Sequence, residues 1–305
     1  MTAQPSRVFV HEVAPRDGLQ AEPAFVPTDR KVELIDALSA TGLAKIEATS
    51  FVSPKAIPAL ADAEDLMRRI TRRPGVEYAA LVPNVRGCER ALACGVDEIN
   101  VVMSASRSHN LSNLRMEPAD SLRQFEQIVQ LVAGRAALNA SLSTTFGCPF
   151  EGEVPVERVL ELVAHFAAMG IERVSLCDTT GMANPLQVGQ IFDRVRQAHP
   201  RLTLTAHFHN TRGMGLANAL AAWQAGVDRF DASLGGLGGC PYAPGATGNI
   251  CTEDLVHMFE AMGVRTGVDL GALIKCAQRL PDLVGHDVPG QVVKAGPATR
   301  RHTPG

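Results

Sequence analysis

Two histidines one residue apart, His207 and His209 in "AHFHNTRG", carry the strongest chemical signal in the chain. On a strand, side chains at i and i+2 share a face, whereas on a helix they do not, so this spacing presents two imidazoles together. Such a pair holds a metal, or it divides into one structural histidine and one substrate contact. Asp17, in "APRDGLQ", is the natural carboxylate partner, although an RDG alone also reads as a turn in which the aspartate accepts backbone amides. Asp17, two imidazoles and a neutral oxygen form a mixed N/O set suited to six-coordinate Mg²⁺ or Mn²⁺, without the thiolates of structural zinc. Beside it, Arg16 supplies a planar cation for an enolate or a carboxylate, or else a structural ion pair with Glu47. Glu47 in "LAKIEATSF" and Asp178 in "LCDTTG" can each hold Arg16, a histidine or a water on the cation. The segment Ser233 to Asn249 has six Gly and two Pro in seventeen residues, the composition of a mobile lid, and no GKS or GKT follows to make it a P-loop. Within it, Cys240 in "GGCP" has a polar context in which a thiol can act as an acid.

These residues need strand ends to converge on, and the chain supplies them. Short β-rich runs alternate with stretches of helical period, beginning with a strand at Arg7 to Val13 and a helix at Thr28 to Ala40, and ending with a strand at Arg229 to Ser233 and a helix at Thr252 to Met262. Eight such units over about 260 residues predict an α/β fold, a single (β/α)8 TIM barrel, rather than an open sheet. The phrases "TGLAKIEA", "CGVDEINV", "MGIERVSL" and "AGVDRFDA" each run from a helix-ending Gly through a charged turn into a strand, which argues for equivalent units. The barrel spans 1–266, and 267–305 is a short C-terminal extension of one helix and a loose polar tail. In such a barrel the chemistry gathers at the C-terminal ends of the strands.

Composition limits what the site can serve. With 29 Lys+Arg against 32 Asp+Glu the formal charge is −3, which provides no broad field for nucleic acid or an anionic membrane. Seven cysteines with no CxxC pair read as reduced thiols. With no apolar leader in "MTAQPSRVFV" and no long apolar run, the expected location is the cytoplasm.

Taken together, "PRDGLQ" (15–20), "IEATSFVSPK" (46–55), "GCPFEG" (147–152), "HFHNTRGMGLAN" (207–218) and "GLGGCPYAPGATGN" (236–249) resemble the 3-hydroxy-3-methylglutaryl-CoA lyases, within the wider group of metal-dependent barrel aldolases and acyl-CoA condensing enzymes. The resemblance runs from about Val8 to Gly267 and implies retro-Claisen cleavage of an acyl-CoA thioester to acetyl-CoA and a ketone, acetoacetate for the parent substrate. It assigns Asp17, His207, His209 and Asn249 to the divalent cation, Arg16 to the enolate, Glu47 and Asp178 to orienting the site, and Cys240 to protonating the enolate. The base at the C3 hydroxyl is His207, with Asp178 as its competitor. Arg107, His109 and Asn110 are candidates for holding the CoA arm, and a homodimer is the family expectation. Ala21, Asn210 and Arg212 stand where better-known members usually carry Asn, Asp and Tyr, which leaves room for a related substrate such as citramalyl-CoA or a longer branched 3-hydroxyglutaryl-CoA. A condensing synthase typically reads RDGEQ and lacks the GGCP segment, whereas this chain has Leu19 and Cys240.

Overall fold

In the computed structural model, which describes residues 4–238 and 248–301, eight short strands pair in chain order, all parallel, and the last closes on the first. They are β1 (Phe9–Glu12), β2 (Lys45–Ser50), β3 (Glu77–Leu81), β4 (Glu98–Ser104), β5 (Ala137–Ser143), β6 (Arg173–Asp178), β7 (Thr203–Phe208) and β8 (Arg229–Ala232). Helices return the chain: α1 (Thr28–Ser39), α2 (Ala63–Arg69), α3 (Val85–Ala93), α4 (Arg107–Leu114), α5 (Pro118–Val132), α6 (Val156–Ala168), α7 (Pro185–Ala198), α8 (Gly215–Gln224) and α9 (Thr252–Ala261). This is the (β/α)8 barrel expected from the sequence. Among the described residues no helix is long and apolar enough to cross a membrane.

Strand alternation sorts the side chains between two environments. In β6, Val174 and Leu176 are wholly buried in the apolar layer between sheet and helices, while Ser175 turns inward to meet Asn139. The barrel interior is correspondingly polar rather than filled with bulky branched residues. Asn100, Asn139, Ser141 and Ser175 hydrogen-bond to one another there, beside a cavity of about 20 Å³ lined by Asn100, Asn139 and Ser175 with His11, Glu47 and Asp231. That volume suits a single water and excludes any thioester substrate, so a substrate has to be received above it. At the opposite end, the first residues of four strands form an ion cluster: Lys45 Nζ lies 2.5 Å from Glu98, and Arg173 lies 2.7 Å from both Glu98 and Glu77. Such a rim serves stability, and chemistry is left to the far rim.

Local differences from the sequence expectation have local causes. Thr28 is the first helical residue of α1; Pro27 occupies the cap and the Thr28 hydroxyl donates to Asp62. Helix α4 was not expected because "RSHNLSNL" has little apolar periodicity; Ser106 caps it by accepting from His109 N. Where residues 267–286 were expected to form one helix there are two, α10 (Leu270–Ala277) and α11 (Leu280–Val284), with Pro281 in the first turn of the second. The tail expected to be loose is docked over much of its length. Val288 and Val292 are buried, Gly290 N donates to Gly235 O, and α12 (Val292–Ala295) takes the Asp254 carboxylate at its N-terminus.

Candidate active site

β1 ends at Glu12 and the chain winds into a wide π-type turn, Ala14–Gly18, in which the amides of Asp17 and Gly18 both reach back to Val13 O. The turn lifts Arg16 and Asp17 over the C-terminal rim of the barrel. Arg16 Nε donates to Glu47 Oε2 on β2 at 2.6 Å, and its Nη1 donates to Asp17 Oδ1 at 2.6 Å. Of the alternatives in the sequence, the ion pair with Glu47 is present, and the two bonds together hold the guanidinium at the rim. Burial opposes the Arg16 charge, but Glu47 and Asp17 outweigh it and raise its pKa. Glu47 is in turn fixed by Asn100 Nδ2 at 2.8 Å, which ties the arginine to the polar interior.

His207, on β7, and His209, just past its end, face the same side, with ring centroids 5.3 Å apart, while Phe208 between them is buried in the apolar layer. His209 Nε2 lies 3.8 Å from Asp17 Oδ2. One ligand atom from each of Asp17, His207 and His209 lies within 4.8 Å of the others, a set able to hold a metal ion. Burial acts to raise the Asp17 pKa, but Arg16 and the two histidines prevail and lower it to about 2, so its carboxylate is charged at any working pH. Asn249 joins through a bridge to His209 and donates Nδ2 to Asp17 Oδ2 at 2.7 Å. Gly238 has φ +100°, and a Cβ there would lie 2.8 Å from Asn249 Nδ2 and 3.0 Å from the Asp17 carbonyl; only glycine lets the chain after β8 lie against the site.

Asp178, at the end of β6, accepts from the amides of Met182 and Ala183 at 2.8 and 3.2 Å, and burial pushes its carboxyl up to about 6. Cys240 lies outside the described residues. Of the three residues expected at the CoA arm, two are buried and one lies at the surface. His109 and Asn110 are fully buried pins of α4: the His109 ring meets Ser104 Oγ at 2.7 Å, and the Asn110 amide serves Ser104 N, Met116 O and Ser121 Oγ. Neither presents an atom to solvent, and Arg107 is exposed but paired with Glu117.

Sequence reasoning missed Asp231 and Asn100. Asp231 Oδ2 lies 3.2 Å from His207 Nδ1, and Asp231 Oδ1 lies 3.0 Å from His11 Nδ1. The available signal was an aspartate between Phe230 and Ala232 in a four-residue strand, which alternation turns into the barrel. His11 is buried and bonded in this way.

Comparison with known proteins agrees with the residue pattern. The HMGL-like family model matches residues 7–280. The hydroxymethylglutaryl-CoA lyase of Bacillus subtilis is 47% identical over 94% of this chain and 96% of its own length, and the (R)-citramalyl-CoA lyase of Chloroflexus aurantiacus is 42% identical over 95% of each. An HMG-CoA lyase from Acenitobacter baumannii, solved in complex with coenzyme A and 3-methylmalate, superposes with a TM-score of 0.96 at 52% identity, covering 100% of both chains. A barrel closed in this order, an Asp, His, His set on its C-terminal rim and a match over most of its length place the chain in the HMGL-like family.

Proposed function

We propose that this chain is a divalent-cation-dependent carbon–carbon lyase that cleaves 3-hydroxy-3-methylglutaryl-CoA to acetyl-CoA and acetoacetate. The observation that carries the reading is the convergence of Asp17, His207 and His209 beside the Arg16–Glu47 pair at the barrel mouth. One carboxylate and two neutral imidazoles suit a Mg²⁺- or Mn²⁺-sized cation with positions to spare, with Asn249 as the fourth group. When bound, such a cation lowers the pKa of a substrate hydroxyl and neutralises charge developing on oxygen.

The chain's own residues supply the rest. His207 and Asp178 are the two bases the mouth offers for the C3 hydroxyl proton. As the C2–C3 bond breaks, its electron pair passes to the thioester as an enolate. Arg16, held at two nitrogens by Glu47 and Asp17, steadies that charge without having to reorganise. Cys240 then donates a proton to the enolate carbon. The thiol has to stay reduced for this, in keeping with a cytoplasmic location; the expected assembly is a homodimer, which light scattering of the purified protein would test.

The test is acetyl-CoA release from a panel of 3-hydroxyacyl-CoA thioesters with added Mg²⁺ or Mn²⁺. Cleavage of the methylglutaryl thioester with the highest kcat/KM supports the reading. Full activity in a chelator-stripped sample overturns the cation site, and condensation of acetyl-CoA with a 2-oxo acid in place of cleavage overturns the lyase. The 42% identity to a citramalyl-CoA lyase favours one second reading, that substrate in the same reaction, and the panel separates the two. Cys240→Ser should lower kcat about 10²-fold or more with little change in KM, as loss of a positioned acid does; an unchanged kcat removes Cys240 from the mechanism.

A further inference from the structure

Three adjacent strands put three side chains in one row. His11 on β1 and His207 on β7 are both Cα partners of Asp231 on β8, so the sheet register alone seats one carboxylate between two imidazoles. Each oxygen takes one ring, Oδ1 at 3.0 Å from His11 Nδ1 and Oδ2 at 3.2 Å from His207 Nδ1. The side chain is only 14% exposed and both rings are less so. An ionised carboxylate only accepts, so both Nδ1 atoms carry protons.

We propose that Asp231 is a positioning residue for the cation site: it fixes His207 in the Nδ1–H tautomer, so that Nε2 carries the lone pair offered beside Asp17 and His209, and His11 braces the carboxylate from the far side. The proposal rests on the cation reading above and deepens it. A histidine ligand with its second nitrogen bonded to a carboxylate is oriented and made a better donor, and loss of such a partner weakens metal binding by about 10–100-fold. Within this arrangement one imidazole cannot be both ligand and base. With Nδ1–H on Asp231 and Nε2 on the cation, His207 has no lone pair left for the C3 hydroxyl proton, and that task falls to Asp178.

The decisive measurements are the ¹⁵N side-chain spectrum of His207 in the metal-free protein and a Mn²⁺ binding isotherm followed by the electron paramagnetic resonance of the free ion. Wild-type His207 should carry its proton on Nδ1. Asp231→Asn offers one acceptor and one donor to two rings that both need an acceptor, so it should shift one ring to the Nε2–H form. Asp231→Ala, with a wild-type circular dichroism spectrum, should bind Mn²⁺ about 10–100-fold more weakly. His11→Leu should leave the His207 tautomer in place and weaken Mn²⁺ by less. A wild-type His207 protonated on Nε2, or a folded Asp231→Ala protein with unchanged Mn²⁺ affinity, overturns the proposal. If the wild type binds no Mn²⁺, the cation reading fails, and the tautomer measurement still decides whether Asp231 sets the ring.

Discussion

Asp17 and Asp178 are carboxylates at the same rim with opposite electrostatics. Asp17 faces Arg16 and two histidines and is held at about 2, whereas Asp178 is buried against backbone amides and lifted to about 6. Asp17→Asn or His209→Ala should therefore remove cation-dependent cleavage with a circular dichroism melt close to wild type. Asp178 gives a pH dependence with a defined sign. Its folded pKa lies above the ordinary value of about 4, so the ionised fold carries a penalty that is absent below pH ~4 and grows as the pH rises through about 6. If the ionised form accepts the substrate proton, kcat falls as the pH drops below about 6, opposite to the stability trend. Asp178→Asn should abolish that acid limb and lower kcat about 10²-fold or more. The histidine pair and the RDG aspartate were evident from spacing alone. Asp231 was not, because a single aspartate in a four-residue strand announces a direction and no partner, and its partners lie on strands 24 and 220 residues away in sequence.

The repeated turn shows how far a local pattern reaches at the scale of an element. Gly42 and Gly95 end helices in equivalent phrases and both adopt positive φ, +89° and +63°. At Gly95 an added Cβ meets nothing within 4 Å, so Gly95→Ala should cost about 1 kcal/mol of backbone strain. At Gly42 the same carbon would sit 2.3 Å from Gly267 O, a backbone atom with no rotamer to escape into. Gly42→Ala should cost about 1–3 kcal/mol more, read as a larger shift of the urea midpoint at constant m. The phrases look alike in sequence, and only the C-terminal extension passing over Gly42 separates them. Glu12 makes the same point from the strand side. Wholly buried, it accepts from Ala14 N, Leu234 N and Thr252 Oγ1, each at 2.8 Å, and so ties the RDG turn to the segment after β8. Glu12→Ala leaves buried donors unpaired at about 1–3 kcal/mol each, and should lower both the melting temperature and the activity.

For the whole molecule, the barrel and its C-terminal segment act as one support for the chain after β8. Gly235 begins that chain, Gly290 N bonds to its carbonyl, and Val288 and Leu280 close over its α-carbon. Removing residues 288–305 should therefore lower kcat as well as the melting temperature; a truncated protein with wild-type kcat would show that the segment only adds stability. The sequence by itself determined the fold class and singled out candidate groups at the strand ends, because strand and helix periods, glycine-ended turns and an i, i+2 histidine pair are properties of neighbours along the chain. Tertiary structure alone decided which strands share a row, and with it the seat of Asp231 between two imidazoles, the burial of His109 and Asn110, and the docking of the tail. Register in a closed parallel sheet is fixed by packing summed around the whole barrel, and no short stretch of residues contains that sum.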